Sequence, residues 1–222
     1  MRRAPVLVLA SASPRRRELL GRLGVTFDVD PAGIPEALPA QDSRAERVAR
    51  RLARAKALAV AARYPALPVL AADTVVVRSG RLLSKPADEA EAWSMLRELR
   101  GRRHRVITAV AVARGRRIWV GHAVTWVQMR EYSDHEIAAS IARGDPFDKA
   151  GAYAIQDERF HPVAEYRGCY CNVVGLPLGT VIDLLRRAGI AVCPSPELLP
   201  PECAYCPLLA SVRSRRGLDT GS

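Results

Sequence analysis

Four short stretches of this 222-residue chain carry residue types that chemistry uses and a scaffold does not need. Ser11–Arg17 places small polar residues and three arginines at a strand-to-helix turn. A helix start favours anions through its free N–H groups and dipole. Arg15 and Arg16 are therefore unfavourable there until an anion neutralises them, and phosphate binding explains them better than an exposed first turn does. Asp73 stands inside the apolar run VLAADTVVV. A carboxylate buried there is costly unless paired, hydrogen-bonded or metal-bound; the plainer reading is a strand that surfaces at Ala72–Thr74. Ser84-Lys85-Pro86 sets a lysine between a strand and a helix. The segment DKAGAYAIQ (Asp148–Gln156) supplies a carboxylate, the Lys149 ammonium, a close-approach glycine and the Gln156 amide, which could read a base edge. These point to an anionic substrate, a carboxylate for a metal or a water, and an amide for a base. They leave the reaction open. Walker A, G-x-G-x-x-G, H-E-x-x-H and G-x-S-x-G patterns are all absent, and the four histidines do not pair at ligand spacing.

The elements that must position these residues are readable from periodicity and punctuation. Pro5–Ala10 is a short buried strand, and Ser13 caps a helix with Pro14 at its first position, stopped by Gly24. Thr26–Asp30 is a second strand and Pro31–Ala40 a loop. Val48, Leu52, Ala55, Ala59 and Ala62 mark one amphipathic helix over Asp42–Arg63. Leu67–Val77 is a strand, followed by a Ser79-Gly80 turn, Arg81–Pro86, and a helix over Ala87–Leu99. Arg105–Ala113 and Arg117–Met129 form a hairpin. Ser133 to Glu136 is a capping box opening a helix that ends at Gly144. Asp145–Asp157 is irregular; a further strand and a helix over Leu178–Ala188 complete the body. The fold class is α/β, a mixed sheet bent around a central cleft with flanking helices. One domain is expected over residues 1–193, and residues 194–222 read as a loose, mobile tail without a core of its own.

Composition narrows the function classes. Apolar residues make up 49% and charged residues 26%, which excludes fibrous and wholly disordered chains. The net charge is +11, but only three of the 34 basic residues are lysine (Lys56, Lys85, Lys149). The arginines are spread over helical stretches with acidic neighbours, so no stable nucleic-acid partner is expected. The scarce lysines mark places that need a compact ammonium. No apolar run reaches the ~18 residues of a membrane span, and Val6–Ala10 is too short for the roughly 7–15 residues of a signal-peptide core. A cytoplasmic protein is expected. An odd count of five cysteines argues against a disulfide framework. Cys203 and Cys206 form a C-x-x-C that, with Cys193 and one more ligand, could hold zinc. No second C-x-x-C or His pair stands nearby, so the thiols read as features of a tail.

LASASPRRRELL, AADTVVV, LLSKP, ELRGRRHRVITAV, DKAGAYAIQ and NVVGLPL, in that order, resemble the Maf family of nucleoside triphosphate pyrophosphatases, over about Val8–Ala188. The resemblance implies a fold similar to that of the inosine triphosphate pyrophosphatases. It also implies hydrolysis of a nucleoside triphosphate to monophosphate and pyrophosphate with a divalent cation, Mg2+ or Mn2+. By resemblance Asp73 takes the place of the proton acceptor, and Arg15, Thr74 and Gln156 fall on substrate-selecting positions. Ser11, Arg16, Glu36, Lys56, Lys85 and Lys149 match other cleft residues. Asp73 and Glu36 would hold the cation through carboxylate oxygens, and Lys85 and the other cations would clamp the triphosphate. The D-K-A-G-A-Y-x-I-Q form resembles the branch acting on dTTP and UTP, whereas the 7-methyl-GTP branch departs at the glutamine. Asp157 stands where that pyrimidine branch usually has glycine, and Gly168-Cys169-Tyr170-Cys171 is unusual. The reading admits a homodimer. The alternative is a non-catalytic nucleotide sensor or nucleic-acid-binding protein linked to cell division; an intact Asp–Lys–Lys–Gln set argues against it.

Overall fold

Two short parallel strands and a long antiparallel set share one sheet, and the cleft opens where the two kinds of pairing meet. The computed structural model describes residues 4–34 and 44–214; Glu36 and most of the expected Pro31–Ala40 loop lie outside them. The strands are β1 (Leu7–Leu9), β2 (Phe27–Val29), β3 (Val69–Arg78), β4 (Arg81–Leu83), β5 (Arg103–Arg114), β6 (Arg117–Met129) and β7 (Val163–Arg167). Their order is β2-β1-β3-β5-β6-β7, with β4 paired to β3. β1 runs parallel to β2 and β3, and every later pairing is antiparallel. This is the expected mixed α/β sheet, with helices on both faces.

Local chemistry sets the helix starts. In α1 (Pro14–Gly21), Pro14 occupies the first turn and the Ser13 hydroxyl accepts from the Arg16 N–H. In α3 (Glu89–Leu99), Asp88 caps the Glu91 N–H. In α4 (Asp134–Ala142), Ser133 and Glu136 close the expected capping box. The β5–β6 hairpin turns at Gly115, whose φ of +55° a glycine takes without strain.

The long helix α2 (Ala45–Ala61) corrects the expected stripe. Ala55 is exposed, and the buried face is Val48, Ala49, Leu52, Ala53, Lys56, Ala57 and Val60. Small residues at 49, 53 and 57 let the helix lie close on the sheet, against Val69, Ala71, Val75 and Val77 of β3. Lys56 is therefore carried into the interior. On the other face α1, α5 (Tyr170–Val174) and α6 (Leu178–Arg187) pack over Leu7, Leu9, Leu70 and Val112.

The stretch expected to be a loose tail carries regular elements among its described residues. Two short 3-10 turns, Pro196–Leu198 and Pro201–Tyr205, lead into α7 (Pro207–Ser214). Leu199, Cys203, Cys206 and Leu209 are buried in the same core as α6. Between Leu199 and Leu209, four apolar or thiol side chains thus enter the body's own core. No described helix is long and apolar enough to cross a membrane.

Candidate active site

Strand periodicity decides where Asp73 goes. Val69, Ala71, Val75 and Val77 face α2, and Asp73 shares that face. Its neighbour Ala72 is fully buried, so the strand does not surface there. Asp73 is 4% exposed, and Lys56 Nζ donates to Asp73 Oδ1 at 2.6 Å. A buried ion pair with this geometry answers the desolvation cost that made Asp73 anomalous.

The opposite side of β3 carries a second polar assembly. Arg16 Nε donates to the Gly175 carbonyl at 2.9 Å, and Nη1 donates to the Ala72 carbonyl at 2.8 Å and to Ser11 Oγ at 3.4 Å. Nη2 donates to Thr74 Oγ1 at 3.0 Å. Thr74 in turn meets Thr108 Oγ1 at 2.9 Å, and Thr108 is held by the fully buried Asn172. One guanidinium thus ties the ends of β1 and α5 to the middle of β3. The expected need for an anion at Arg16 is met in part by these oxygens.

Arg15 and Lys149 share a carboxylate. Arg15 Nη1 donates to Asp148 Oδ2 at 2.8 Å, and Lys149 Nζ donates to Asp148 Oδ1 at 2.5 Å and to the Asp145 carbonyl. Burial pushes the Asp148 carboxyl up, but Lys149 and Arg15 outweigh it and hold it below the usual range. The loop bearing these groups is locked by Gly151. Its φ is +74°, its N–H donates to the Ser84 carbonyl at 3.0 Å, and a Cβ there would stand 3.1 Å from Val76. Asp157, next to Gln156, accepts from the N–H groups of Arg159 and Phe160 at 3.0 and 2.9 Å. It caps a turn.

These groups converge on one cleft of two adjoining cavities, about 90 and 360 Å3. Asp73, Thr74, Lys149 and Gln156 line the inner one, Ser11 the outer one, and Arg15, Arg16, Lys56 and Lys85 both. Every expected site residue among the described ones therefore reaches the cleft. Sequence reading noted the Asp148 carboxylate in DKAGAYAIQ but assigned it no role, which its contacts with Arg15 and Lys149 now supply. Asn172 and Thr108 gave none, since their role depends on contacts across the sheet. In the cleft no three described His, Cys, Asp or Glu side chains converge on a cation. The donor chemistry still fits Mg2+ or Mn2+, which take one or two carboxylates and draw further oxygens from substrate phosphates.

Behind the loop, His104 is 1% exposed and its Nε2 lies 2.7 Å from the Tyr153 hydroxyl. Burial lowers its pKa from 6.5 to about 4. Between those values the unfolded chain takes up a proton that the folded chain does not. Stability is complete above pH 6.5 and falls as the pH drops towards 4, by about 3 kcal/mol from this group. Urea unfolding across that range is expected to show the slope, and His104→Gln to flatten it; an unchanged slope would exclude His104 as its source.

Residues 6–188 match the family described as Maf-like protein. The chain is 64% identical over 211 residues to a protein of Thermomicrobium roseum named dTTP/UTP pyrophosphatase, covering 94% of this chain and 97% of that one. Proteins of the same name from Pelotomaculum thermopropionicum and Geobacter sulfurreducens are 47% and 49% identical. The matches cover 84% and 82% of this chain and 98% and 96% of theirs.

Proposed function

This chain belongs to the Maf-like family, and on that premise we propose that it hydrolyses nucleoside triphosphates, dTTP and UTP foremost, to the monophosphate and pyrophosphate. The observation that carries the reading is the meeting, in one cleft, of a buried Lys56–Asp73 pair with Arg15, Arg16, Lys85, Lys149 and Gln156. Such a site can neutralise a triphosphate at one end and read a base at the other.

In this reaction water attacks the α-phosphorus and the bond to the β-phosphate oxygen breaks. Asp73, oriented by Lys56, would accept the proton of the attacking water or serve as a ligand to a divalent cation. Glu36 is the second carboxylate of the proposed site. A bound Mg2+ or Mn2+ supplies charge neutralisation on the phosphate oxygens. Arg15 and Lys149 bind Asp148 in the resting site, so triphosphate oxygens compete with that carboxylate for them. Lys85 adds a cation at the cleft mouth, and Arg16 fixes Ser11 and Thr74 while adding positive charge. Gln156 and Thr74 face the base.

Incubating the protein with the common triphosphates and 7-methyl-GTP, with Mg2+ or Mn2+, is expected to release pyrophosphate and monophosphate in equal amounts. Release of inorganic phosphate alone, or no turnover with any triphosphate, would overturn the reading.

A further inference from the structure

The five cysteines divide four to one. Cys193 is exposed, whereas Cys169, Cys171, Cys203 and Cys206 are buried in one core. Cys171 Sγ lies 3.3 Å from Cys203 Sγ, and the Cys169 thiol meets those of both Cys171 and Cys206. The four sulfurs form one continuous group. Two come from a C-x-C at the entry to α5, and two from a C-x-x-C that begins within the second 3-10 turn and ends just before α7.

The backbone around them is shaped for this meeting. Gly168, at φ +132°, lets the chain press onto β6, where a Cβ would come within 2.9 Å of Thr125 Oγ1. The Thr125 hydroxyl donates to the Cys169 carbonyl and accepts from the Cys169 N–H, both at 3.0 Å. From the other side α7 rests on α6 at Gly179, where a Cβ would stand 2.7 Å from the Leu208 backbone. Backbone N–H groups of Cys171 and Asn172 face the Cys169 sulfur, without closing a full cap bond, and those of Leu208 and Leu209 face the Cys206 sulfur. Neutral thiols are weak acceptors that gain little from such N–H groups; metal-bound thiolates gain more.

We propose that Cys169, Cys171, Cys203 and Cys206 are the ligands of one structural Zn2+, which clamps the C-terminal segment to the body. Four thiolates with no open position make a closed tetrahedral site, the structural type. On binding, four S–H groups release their protons to solvent and four Zn–S bonds form, with no change of oxidation state. As they stand, no three described His, Cys, Asp or Glu side chains, these four cysteines included, are arranged to hold a metal ion, so binding has to move the sulfurs. Binding spreads the Cys171–Cys203 pair from 3.3 Å to the ~3.8 Å that Zn–S bonds of ~2.3 Å impose on a tetrahedron. The same 3.3 Å is well beyond the ~2.05 Å of a disulfide. The ligand thought to complete the C-x-x-C, Cys193, is not in the group; Cys169 and Cys171 take that place.

The clamp has a consequence near the cleft. Pro200, Pro201 and Glu202 wall a groove of about 220 Å3 whose other lining includes Arg15, Gln156 and Tyr170. The metal therefore fixes a segment that borders the proposed base-reading residues, although the site itself does not depend on that function.

The test is metal analysis of the full chain, expressed without an affinity tag that binds metal and passed through gel filtration. About one zinc per chain is expected, released by a mercurial thiol reagent. Refolding with Co2+ is expected to give the intense visible absorption of a tetrahedral cobalt–thiolate centre. Cys193→Ser should keep the zinc, and Cys203→Ser should lose it and melt at a lower temperature. If Cys203→Ser does not fold, the wild type and Cys193→Ser still decide. Trace zinc with five titratable thiols, a mass lowered by disulfide formation, or iron in place of zinc would each overturn the proposal.

Discussion

Asp73→Asn is expected to lower kcat/KM by roughly 10²–10⁴-fold, the usual contribution of a positioned proton acceptor. Asparagine keeps the shape of the side chain and removes the charge that a cation or an attacking water needs. The structure adds a second effect. Lys56 is 6% exposed and donates to Asp73 at 2.6 Å, so the substitution leaves a buried ammonium without its carboxylate. Removing one partner of such a pair costs about 3–5 kcal/mol, and unfolding measurements should show it. Lys56→Met should also destabilise, because it takes the buried ammonium away from the carboxylate. The double variant Lys56→Met/Asp73→Leu separates the two roles: an apolar pair can recover stability but cannot recover turnover. Full activity in Asp73→Asn, at a temperature where the variant is folded, would remove Asp73 from the chemistry. Recovery of turnover in the double variant would have the same force.

The same pair shows what could be read before the fold was known. Asp73 is visible because a carboxylate interrupts an apolar strand, a conflict between burial and charge that a single sequence displays. Its partner was singled out by lysine scarcity and by family resemblance, not by periodicity. The expected apolar stripe ran through Ala55 and Ala59, while the buried face of α2 runs through Ala49, Ala53, Lys56 and Ala57. Alanine is compatible with either side of a helix, so an alanine-rich helix specifies its face weakly. Caps and the hairpin were legible because their signals are local: Ser133 and Glu136 meet across one turn. The thiol cluster was not, because C-x-C and C-x-x-C lie some thirty residues apart and meet only once α6 and α7 have folded back. Asn172 was silent for the same reason. Its partners, Thr108, Val106 and Thr125, lie across the sheet on β5 and β6.

Base selection should favour dTTP and UTP over 7-methyl-GTP by roughly 10²–10³-fold in kcat/KM. The Gln156 amide offers one donor and one acceptor direction, the complement of the imide edge that thymine and uracil share. A base that leaves either group unpaired in a water-poor site forfeits a bond and carries a desolvation penalty of about 1–3 kcal/mol for each. Gln156 is exposed before substrate binds, so the discrimination should fall below the ~10⁴–10⁵ reached by fully buried polar sites. Asp157 could have reversed this preference, because a carboxylate beside Gln156 accepts from an exocyclic amino group of cytosine or guanine. Its Oδ1 instead receives the Arg159 and Phe160 N–H groups and is committed to the turn. Gln156→Glu tests the assignment, since it replaces the amide donor with a second acceptor and keeps the size. Activity on dTTP and UTP should fall about ten- to a hundred-fold, with a smaller loss on CTP, whose amino group can donate to the new carboxylate. Equal losses on all three would place Gln156 outside base reading. A wild-type preference for 7-methyl-GTP over both pyrimidines would reject the substrate class while leaving pyrophosphate release in place.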